Sequence, residues 1–397
     1  RWRFFLNIFN LSDTIFMTVV SNVMDNPSAF WVVNSLFVFA LSVFCAGVLI
    51  PQILLISFRK RLFDVPDERK IHQGVVPRLG GIAFKPVVFF SVALALGLNM
   101  LLGYGQLLGN IGSESRPLAF GFCTIIMLYL VGMADDLIGI RYRAKFAIQI
   151  ICGLLVIAGG LWINNLHGLL FIHALPEWIG YPITLFAVVF IINAINLIDG
   201  IDGLASGLCG VAMLFYGLVF FIIGEYIYAL LAFATLGVLV PFFYYNVFGD
   251  PAKKNKIFMG DTGSLTIGMM TCILSLKLLD GFPVNPSMQQ PNAFFLAYSP
   301  LIIPCFDVVR VYLHRVRNGK NPFLPDKNHI HHKMLAVGMR QRTVMIAIVL
   351  VSVCFTLCNI LLSRYINVTL LLILDIFIWI LGNLWLTRRI HIAHSKL

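Results

Sequence analysis

The sequence predicts an all-α protein that crosses a lipid membrane about eleven times. Hydrophobic residues make up 59% of the chain and charged residues 12%, and the mean hydropathy is +0.89. Soluble proteins usually contain about a quarter charged residues. Apolar segments that satisfy their own backbone hydrogen bonds as helices therefore account for this composition best.

Segments of about 20 apolar residues are long enough to cross the hydrocarbon core. The predicted spans are 30–57, 82–102, 117–134, 145–163, 181–197, 204–223, 226–247, 261–279, 293–314, 343–363 and 367–387. No internal repeat or long loop divides them, so 30–397 is predicted as a single transmembrane domain. Residues 1–29 are predicted as an N-terminal extension, either interfacial or part of an upstream segment, because polar residues interrupt their apolar stretches.

The distribution of charge predicts the orientation. Most of the 29 Lys and Arg residues fall in alternate loops, which predicts an external N terminus and a cytoplasmic C terminus. The net charge is +11, and most of the positive residues lie on the predicted cytoplasmic face. No nucleic-acid-binding module accompanies them, so nucleic-acid binding is not expected. The eight cysteines all lie in predicted spans and indicate packing residues rather than disulfides or metal ligands.

Most acidic side chains gather at the predicted cytoplasmic ends of the spans. Asp135 and Asp136 end the third span, and Lys145 begins the fourth. Two adjacent carboxylates repel each other unless a cation neutralises them, so a divalent metal or a lysine is expected beside them. A solvated turn is the alternative interpretation.

The segment NAINLIDGIDGLASG places Asn193, Asn196, Asp199 and Asp202 three residues apart, which puts them on one face of a helix. Such polar groups beside a lipid-embedded segment are costly unless they bind something, and hard cations such as Mg²⁺ prefer oxygen ligands. The loop lacks the spacing of an EF-hand, and a polar turn is the remaining alternative. Asp261, in IFMGDTGSL, is a further candidate ligand if it lies at the same level of the membrane.

Two basic loops complete the candidate site. The segment DVVRVYLHRVRNGKNPFLPDKNHIHHKM suits an anionic donor and ends with three histidines: His329, His331 and His332. A zinc cluster is the alternative, although no Cys and no HExxH motif stands nearby. The first loop, DVPDERKIHQGVVPRLGG, contributes Lys70 and Arg78. Asp375, deep in the last span, is expected to form an interhelical hydrogen bond.

Together these motifs resemble the polyprenyl-phosphate N-acetylhexosamine-1-phosphate transferase superfamily, the glycosyltransferase 4 family, over about residues 30 to 340. PRLGG and HIHH resemble the WecA-type bacterial enzymes, whereas MraY typically has TPTMGG in the first loop. The resemblance implies UDP-N-acetylglucosamine as donor, undecaprenyl phosphate as acceptor and Mg²⁺ or Mn²⁺ as cofactor. It also implies a bacterial inner-membrane enzyme that starts a surface polysaccharide such as O-antigen, with undecaprenyl-diphospho-GlcNAc and UMP as products.

The resemblance implies roles for individual residues. Asp261 and Asn196 would ligate the metal, and Lys145 would contact phosphate. Phe258 would stack on uracil, and Asp202 would form a hydrogen bond to it. The three histidines would hold the sugar-phosphate region. The other expected cavity residues are Asn193, Asp199, Asn246, Lys70 and Arg78.

The reaction that the resemblance implies exchanges one phosphoanhydride for another. Asp135 or Asp136 would help the acceptor phosphate to attack. Because such a phosphate is already largely ionised near neutral pH, direct displacement is favoured, and a covalent aspartyl intermediate is the alternative.

Other functions and assemblies stay open. An MraY-like phospho-MurNAc-pentapeptide transferase, or a transferase for another UDP-N-acetylhexosamine, is the alternative within the same class. A transporter is the alternative from another class, but its acidic groups would lie near the bilayer midplane rather than at one face. A homodimer is one assembly that the sequence leaves open.

Overall fold

The computed structural model describes residues 27–62, 76–105, 111–281, 291–321 and 328–394. Its α-helices are α1 (Pro27–Lys60), α2 (Phe84–Leu101), α3 (Ile111–Ile138), α4 (Tyr142–Ala158), α5 (Glu177–Ile198), α6 (Leu204–Ile223), α7 (Tyr226–Val247), α8 (Gly260–Leu279), α9 (Ala293–Tyr298), α10 (Ile302–Arg317), α11 (Ile330–Ala336), α12 (Gln341–Leu362) and α13 (Val368–His394). Short 3-10 helices cover Gly80–Ala83, Pro251–Lys253 and Ser299–Leu301. The predicted N-terminal extension lies outside the described residues as far as position 26.

In the described part of the chain, ten segments are long and apolar enough to cross a membrane. They correspond to ten of the predicted spans, and they agree with a helical, multi-pass membrane protein. The predicted span 145–163 corresponds to α4, which has 17 residues. A helix of that length is about 26 Å long, somewhat shorter than a hydrocarbon core of about 30 Å. The eleventh crossing and the orientation therefore stay predictions.

Helix α4 nevertheless runs antiparallel to α3 along most of its length. Near the start of α4, Lys145 pairs with Asp135 at the end of α3. At the other end, the Arg116 guanidinium donates to the Ala158 carbonyl oxygen over 2.6 and 2.9 Å. The chain therefore returns through α4 to the far end of the bundle before α5 begins.

A small hairpin adds to the helices at that far end. Strand β1 (Asn165–Leu169) pairs antiparallel with β2 (Ile172–Ala174). The all-α prediction omitted this hairpin, because two strands of five and three residues carry too little periodic pattern to stand out.

Helix α8 forms the centre of the bundle. Every residue from Thr262 to Leu279 is buried, and the helix packs on α3 and α5. Glycines allow the close approach at its first turn. A Cβ on Gly81 would lie 2.0 Å from the Gly263 nitrogen, and one on Gly132 would lie 2.5 Å from the Thr262 Cα. Small residues at such contacts let helix backbones meet closely inside a membrane.

Helices α12 and α13 lie at the C-terminal side of the bundle. The buried Asn359 amide donates to the Asp375 carboxylate over 2.9 Å. The interhelical hydrogen bond predicted for Asp375 is therefore confirmed. It also fixes α12 to α13 near the end that is distant from the candidate site.

Candidate active site

The candidate site lies where several helices end or begin at one end of the bundle. Because neighbouring helices are antiparallel, the ends of α3, α5 and α7 come together with the beginnings of α4 and α8. The polar residues that the sequence places at those termini therefore meet at one level.

Asp136 caps the central helix from across the bundle. One carboxylate oxygen accepts the Asp261 N–H over 2.8 Å. The other accepts the Thr262 N–H over 2.8 Å and the Thr262 hydroxyl over 2.6 Å. These N–H groups have no partner within the helix, and a negative charge is favourable at a helix N-terminus. Asp136 therefore holds α8 in place, and both of its oxygens are engaged.

Asp261 lies in the first turn of α8 and joins three helices. Its carboxylate accepts from the Asn196 amide over 2.5 Å and from the Lys145 ammonium over 3.1 Å. Lys145 also pairs with Asp135 over 2.5 Å, and Asp135 accepts the Ile140 N–H over 2.6 Å. The sequence predicted a lysine or a divalent metal beside Asp135 and Asp136. Lys145 stands beside Asp135 and connects it to Asp261, which is not the neighbour that the prediction named.

A short backbone ladder places the first loop beside α8. The Phe258 N–H donates to the Pro77 carbonyl over 2.8 Å, and the Gly80 N–H donates to the Phe258 carbonyl over 3.0 Å. Gly260 has φ +70°, and a Cβ there would lie 2.0 Å from the Arg78 carbonyl oxygen. This ladder brings Arg78 and Phe258 to the same cavity.

Two further contacts fix the turn between α5 and α6. The Asn246 side chain accepts the Gly203 N–H over 2.6 Å and donates to the Ile257 carbonyl over 2.8 Å. The Lys256 ammonium pairs with the Asp202 carboxylate over 2.6 Å. Asn246 is buried, so its main role is to hold the turn and the following loop together.

The histidine segment is organised by Asp307, which the sequence did not single out. Its carboxylate pairs with the His329 Nδ1 over 2.8 Å, accepts the Ile330 N–H over 3.0 Å and pairs with Arg310 over 2.7 Å. Asp307 is completely buried. Arg310 in turn donates to the Asn328 carbonyl. This network fixes where α11 begins and how the His329 ring is turned.

The three histidine rings pack against one another: the centre of the His331 ring lies 5.7 Å from that of His329 and 4.3 Å from that of His332. A Cβ on Gly200 would lie 2.3 Å from the His331 Nε2, so the His331 ring packs against the α5–α6 turn. Burial, followed by the neighbouring His332, lowers the pKa of His331 to about 3. Only His332 of the three lines the cavity between these elements.

That cavity has a volume of about 330 Å³, within the range of ligand pockets. Its lining includes nine of the predicted site residues: Arg78, Asp136, Asn196, Asp199, Asp202, Asn246, Phe258, Asp261 and His332. Burial and the carboxylates of Asp261 and Asp202 raise the pKa of Asp199 to about 7. The carboxylates of the lining are therefore crowded together, and the raised pKa leaves Asp199 partly protonated near neutral pH.

The remaining predicted residues are placed differently. Asp135 and Lys145 are one contact away, through Asp261. Asn193 bonds to Gln149 over 2.6 Å at the α4–α5 contact and does not line the cavity among the described residues. The prediction that Asn193 lines the cavity is therefore corrected: it lies one helical turn deeper than Asn196.

Two of the histidines also need correction. The structure holds His329 on Asp307 and packs His331 on Gly200, so both act on the cavity through the position of α11.

Lys70 lies outside the described residues. Within the described residues, no group of three or more His, Cys, Asp or Glu side chains is arranged to hold a metal ion.

Comparisons with known proteins identify the family. A family model described as glycosyl transferase family 4 matches residues 118–279. The probable undecaprenyl-phosphate N-acetylglucosaminyl 1-phosphate transferase of Bacillus subtilis (strain 168) is 30% identical over 353 residues, which are 87% of this chain and 90% of the relative. The chain belongs to glycosyl transferase family 4. The undecaprenyl-phosphate alpha-N-acetylglucosaminyl 1-phosphate transferase of Yersinia pestis is 31% identical over 307 residues, 75% of this chain and 76% of the relative.

The family 4 match covers α3 to α8, and thus Asp135, Lys145, Asn196 and Asp261. A relative of the same name from Escherichia coli (strain K12) is 31% identical over 300 residues, 73% of this chain and 74% of that protein. The predicted membership of this family, in its WecA-type branch, is confirmed.

Proposed function

We propose that this protein transfers GlcNAc-1-phosphate from UDP-GlcNAc to undecaprenyl phosphate, giving undecaprenyl-diphospho-GlcNAc and UMP. The observation that carries the proposal is the position of Asp261. It lies at the N-terminus of the buried central helix, between Lys145 and Asn196, in a cavity that Arg78 also lines. The names of the curated relatives support the same donor and acceptor.

The site lies at one end of the bundle, which suits a lipid acceptor whose phosphate stays at the membrane surface. We place this end at the cytoplasmic face of a bacterial inner membrane, with the N terminus outside and the C terminus inside. In this arrangement α4 also crosses the membrane, which brings the number of crossings to eleven. The basic loops at this end support that orientation.

The donor set suits Mg²⁺, with Mn²⁺ as the alternative. Four aspartates line the cavity against one arginine, and the two nearby lysines are already paired with Asp261 and Asp202, so a further cation would favour the entry of a diphosphate. Asp261 and Asn196 would hold the ion through oxygen atoms, and Mg²⁺ usually takes only one or two carboxylates besides water and substrate phosphates. When bound, it would neutralise charge on the diphosphate.

Side chains of the protein would position the phosphate, the uracil and the sugar of the donor. Lys145 is close enough to Asp261 to contact a phosphate held there. Phe258 offers a ring for the uracil, and Asp202, paired with Lys256, offers a hydrogen-bond acceptor. His332 is the histidine that reaches the sugar-phosphate region.

The geometry favours direct displacement over a covalent intermediate. In direct displacement, an oxygen of the lipid phosphate forms a bond to the β-phosphorus of the donor while the bond from that phosphorus to the bridging oxygen breaks, and UMP leaves with the electron pair. Asp136 is engaged at both oxygens by α8, and Asp135 is held by Lys145 and Ile140. These contacts support direct displacement, because a carboxylate acting as nucleophile would have to give them up.

The experiment is transfer by the purified protein in detergent, followed by mass spectrometry of the lipid product with each candidate UDP-sugar. We expect an undecaprenyl-diphospho-GlcNAc product that requires Mg²⁺, with UMP released only when the acceptor is present. A product formed instead from UDP-MurNAc-pentapeptide would favour the MraY-like alternative. UMP release without lipid would contradict direct displacement.

We propose that the lipid product is the starting material for a surface polysaccharide such as O-antigen. Deletion of the gene in a bacterial host should remove the polysaccharide, and the unsubstituted gene should restore it. An unchanged polysaccharide would assign the product to another pathway.

A further inference from the structure

The connection between α4 and α5 has an unusual composition for a segment outside the spans. It covers residues 159–176 and contains the β1–β2 hairpin. Between Lys145 and Glu177 the chain contains no Asp, Glu, Lys or Arg. Protein surfaces that face water are mostly formed by polar and charged residues. The composition therefore indicates that part of this connection has surroundings other than water.

The base of the hairpin is polar and is fixed to the centre of the bundle. The Asn164 amide donates to the Asp280 carboxylate over 2.8 Å. The His167 ring forms a hydrogen bond to the Leu279 carbonyl oxygen over 2.8 Å, and the Asn292 amide donates to the His167 carbonyl oxygen over 2.8 Å. These contacts hold the base on the last residues of α8, at the end of the bundle opposite to the candidate site.

The tip of the hairpin has the wrong residues for its turn. Leu169 pairs with Ile172, so Leu170 and Phe171 form a two-residue connection. Both have positive φ, +53° and +62°. A connection with positive φ at both positions is a type I′ turn, which favours Asn-Gly, because larger side chains are strained in this conformation. Such strain persists only where the surrounding structure offsets it.

The side chains at the tip point away from the protein. Leu170 is 63% exposed, Phe171 81% and Ile172 41%. The preceding residue, Leu169, instead packs against the small apolar cluster around Leu371. The tip therefore presents three consecutive apolar side chains to its surroundings. We call residues 170–172 the hairpin tip.

The hairpin tip lies beside a helix that faces lipid. The Leu170 N–H donates to the Thr369 hydroxyl over 2.7 Å, in the first turn of α13. Most of α13 is not buried against the rest of the protein. Exposed aromatic residues stand at the same end of the bundle, Tyr365 just before α13 and Trp178 in the first turn of α5. Tyr and Trp are enriched where a membrane meets water, so the tip is at the level of that boundary.

The length of α4 leaves room for the tip in the membrane. Helix α4 has 17 residues and is about 26 Å long, whereas the hydrocarbon core is about 30 Å thick. The hairpin follows α4 directly and continues the apolar layer where the helix has ended. Unpaired backbone groups are not tolerated in the hydrocarbon core, so a hairpin suits only the interfacial region.

We propose that the hairpin tip inserts into the interfacial region of the leaflet opposite to the candidate site, and that it anchors the connection between α4 and α5 there. This leaflet is the outer one in the proposed orientation. The partner is the phospholipid bilayer, which binds the tip through apolar area, because the hairpin has no Asp, Glu, Lys or Arg. The inference goes beyond the proposed function and does not depend on it.

A diazirine amino acid in place of Phe171 tests the insertion. The full chain is reconstituted in nanodiscs of phosphatidylethanolamine and phosphatidylglycerol and illuminated, and the adducts are identified by mass spectrometry. The matched control carries the same amino acid in place of Arg364, an exposed charged residue in the turn between α12 and α13 at the same end of the bundle. The unfolding midpoints of both proteins should equal that of the unsubstituted protein, which shows that they are folded.

We expect phospholipid to form most of the adducts at position 171 and water to form most of those at position 364. Water as the main adduct at position 171 would overturn the proposal. A cross-link from that position to a second copy of the chain, or to another protein, would also overturn it. Equal labelling of phospholipid at the two positions would show that the tip has no special place in the membrane.

Tryptophan fluorescence provides a second measurement that needs no photochemistry. The emission of the unsubstituted protein is subtracted from that of Phe171→Trp and from that of Arg364→Trp in the same nanodiscs. Phospholipids brominated on the upper acyl chain should quench the additional emission at position 171 several-fold more than that at position 364. Iodide in the buffer should have the opposite preference. Quenching of position 171 by iodide but not by brominated lipid would refute the insertion.

Discussion

Replacing Asp136 distinguishes a helix cap from a catalytic carboxylate. Asp136→Ala removes the acceptor of two backbone N–H groups and one hydroxyl at the start of α8. Loss of an N-cap costs about 0.5–2 kcal/mol, and each buried donor left without a partner costs about 1–3 kcal/mol. We therefore expect Asp136→Ala to lower the free energy of unfolding by about 3–5 kcal/mol.

Asp136→Asn should have an intermediate effect, because the amide keeps one oxygen that can accept and replaces the other with a donor. We expect a loss of about 1–2 kcal/mol. Transfer activity should fall moderately, since α8 still carries Asp261 into the cavity. The assay combines thermal unfolding in detergent with initial rates of UMP release.

The matched control is Asp250→Ala. Asp250 also caps a helix at this end of the bundle, by accepting the Ala252 N–H over 2.9 Å, but that contact is exposed. Its loss should cost less than about 1 kcal/mol. If Asp136 were a covalent nucleophile, Asp136→Asn would reduce kcat by a factor of about 10⁶ and leave the unfolding midpoint unchanged. That result would refute the role of a cap.

Three further substitutions test the site. Asp261→Asn should reduce kcat by more than about 100-fold, which exceeds the effect of losing a residue that only supports a metal ligand, while the unfolding midpoint in detergent stays near that of the unsubstituted protein; retained activity would remove Asp261 from the metal site. Asp307→Asn should raise the KM for UDP-GlcNAc and change the imidazole ¹⁵N chemical shifts of its histidine partner, because that ring then faces a neutral amide in place of a carboxylate; unchanged shifts would contradict the positioning role. Gly81→Ala should cost about 1–3 kcal/mol by pressing on Gly263, whereas Gly97→Ala, inside a helix and with no atom within 4 Å, should stabilise by up to about 1 kcal/mol in the same unfolding assay.

Composition made the helical architecture predictable because lipid leaves a chain few alternatives. A spanning segment has to satisfy its backbone hydrogen bonds internally, so apolar segments of suitable length become helices. Helix α4 is the case that composition settles least well, since its 17 residues fall near the length limit. The β1–β2 hairpin lies outside this constraint, and nothing in the composition pointed to it.

The candidate site was predictable to the extent that its residues end helices. Asp135, Asn196 and Asp261 each stand at a helix terminus, and antiparallel packing brings such termini to one level. The contacts between them were not predictable from spacing. Asp136 bonds to residues about 125 positions away, and the choice between a cap and a catalytic group depends on that distant helix.

The contacts of Asp307 were also not predictable from the spacing of residues in the sequence. Its partner His329 is 22 residues further along the chain, beyond a loop, and no regular spacing connects them. The available signal was a carboxylate on the apolar side of α10, at a position where burial without a partner would be costly. A buried acid in a membrane helix implies a partner, and the neighbouring segment rich in Arg and His was the place to look.

The charges of the cavity explain why a lysine stands where the sequence allowed either a lysine or a metal. Lys145 joins Asp135 to Asp261, and Lys256 pairs with Asp202, so two of the cavity's carboxylates are already engaged by ammonium groups. An incoming diphosphate competes with those carboxylates for the same two lysines. A divalent cation bound by Asp261 and Asn196 would take over the negative charge that Lys145 now balances, which would leave the ammonium available to the phosphate. In the proposed reaction, the metal and the lysine would therefore be complementary parts of one site rather than alternatives.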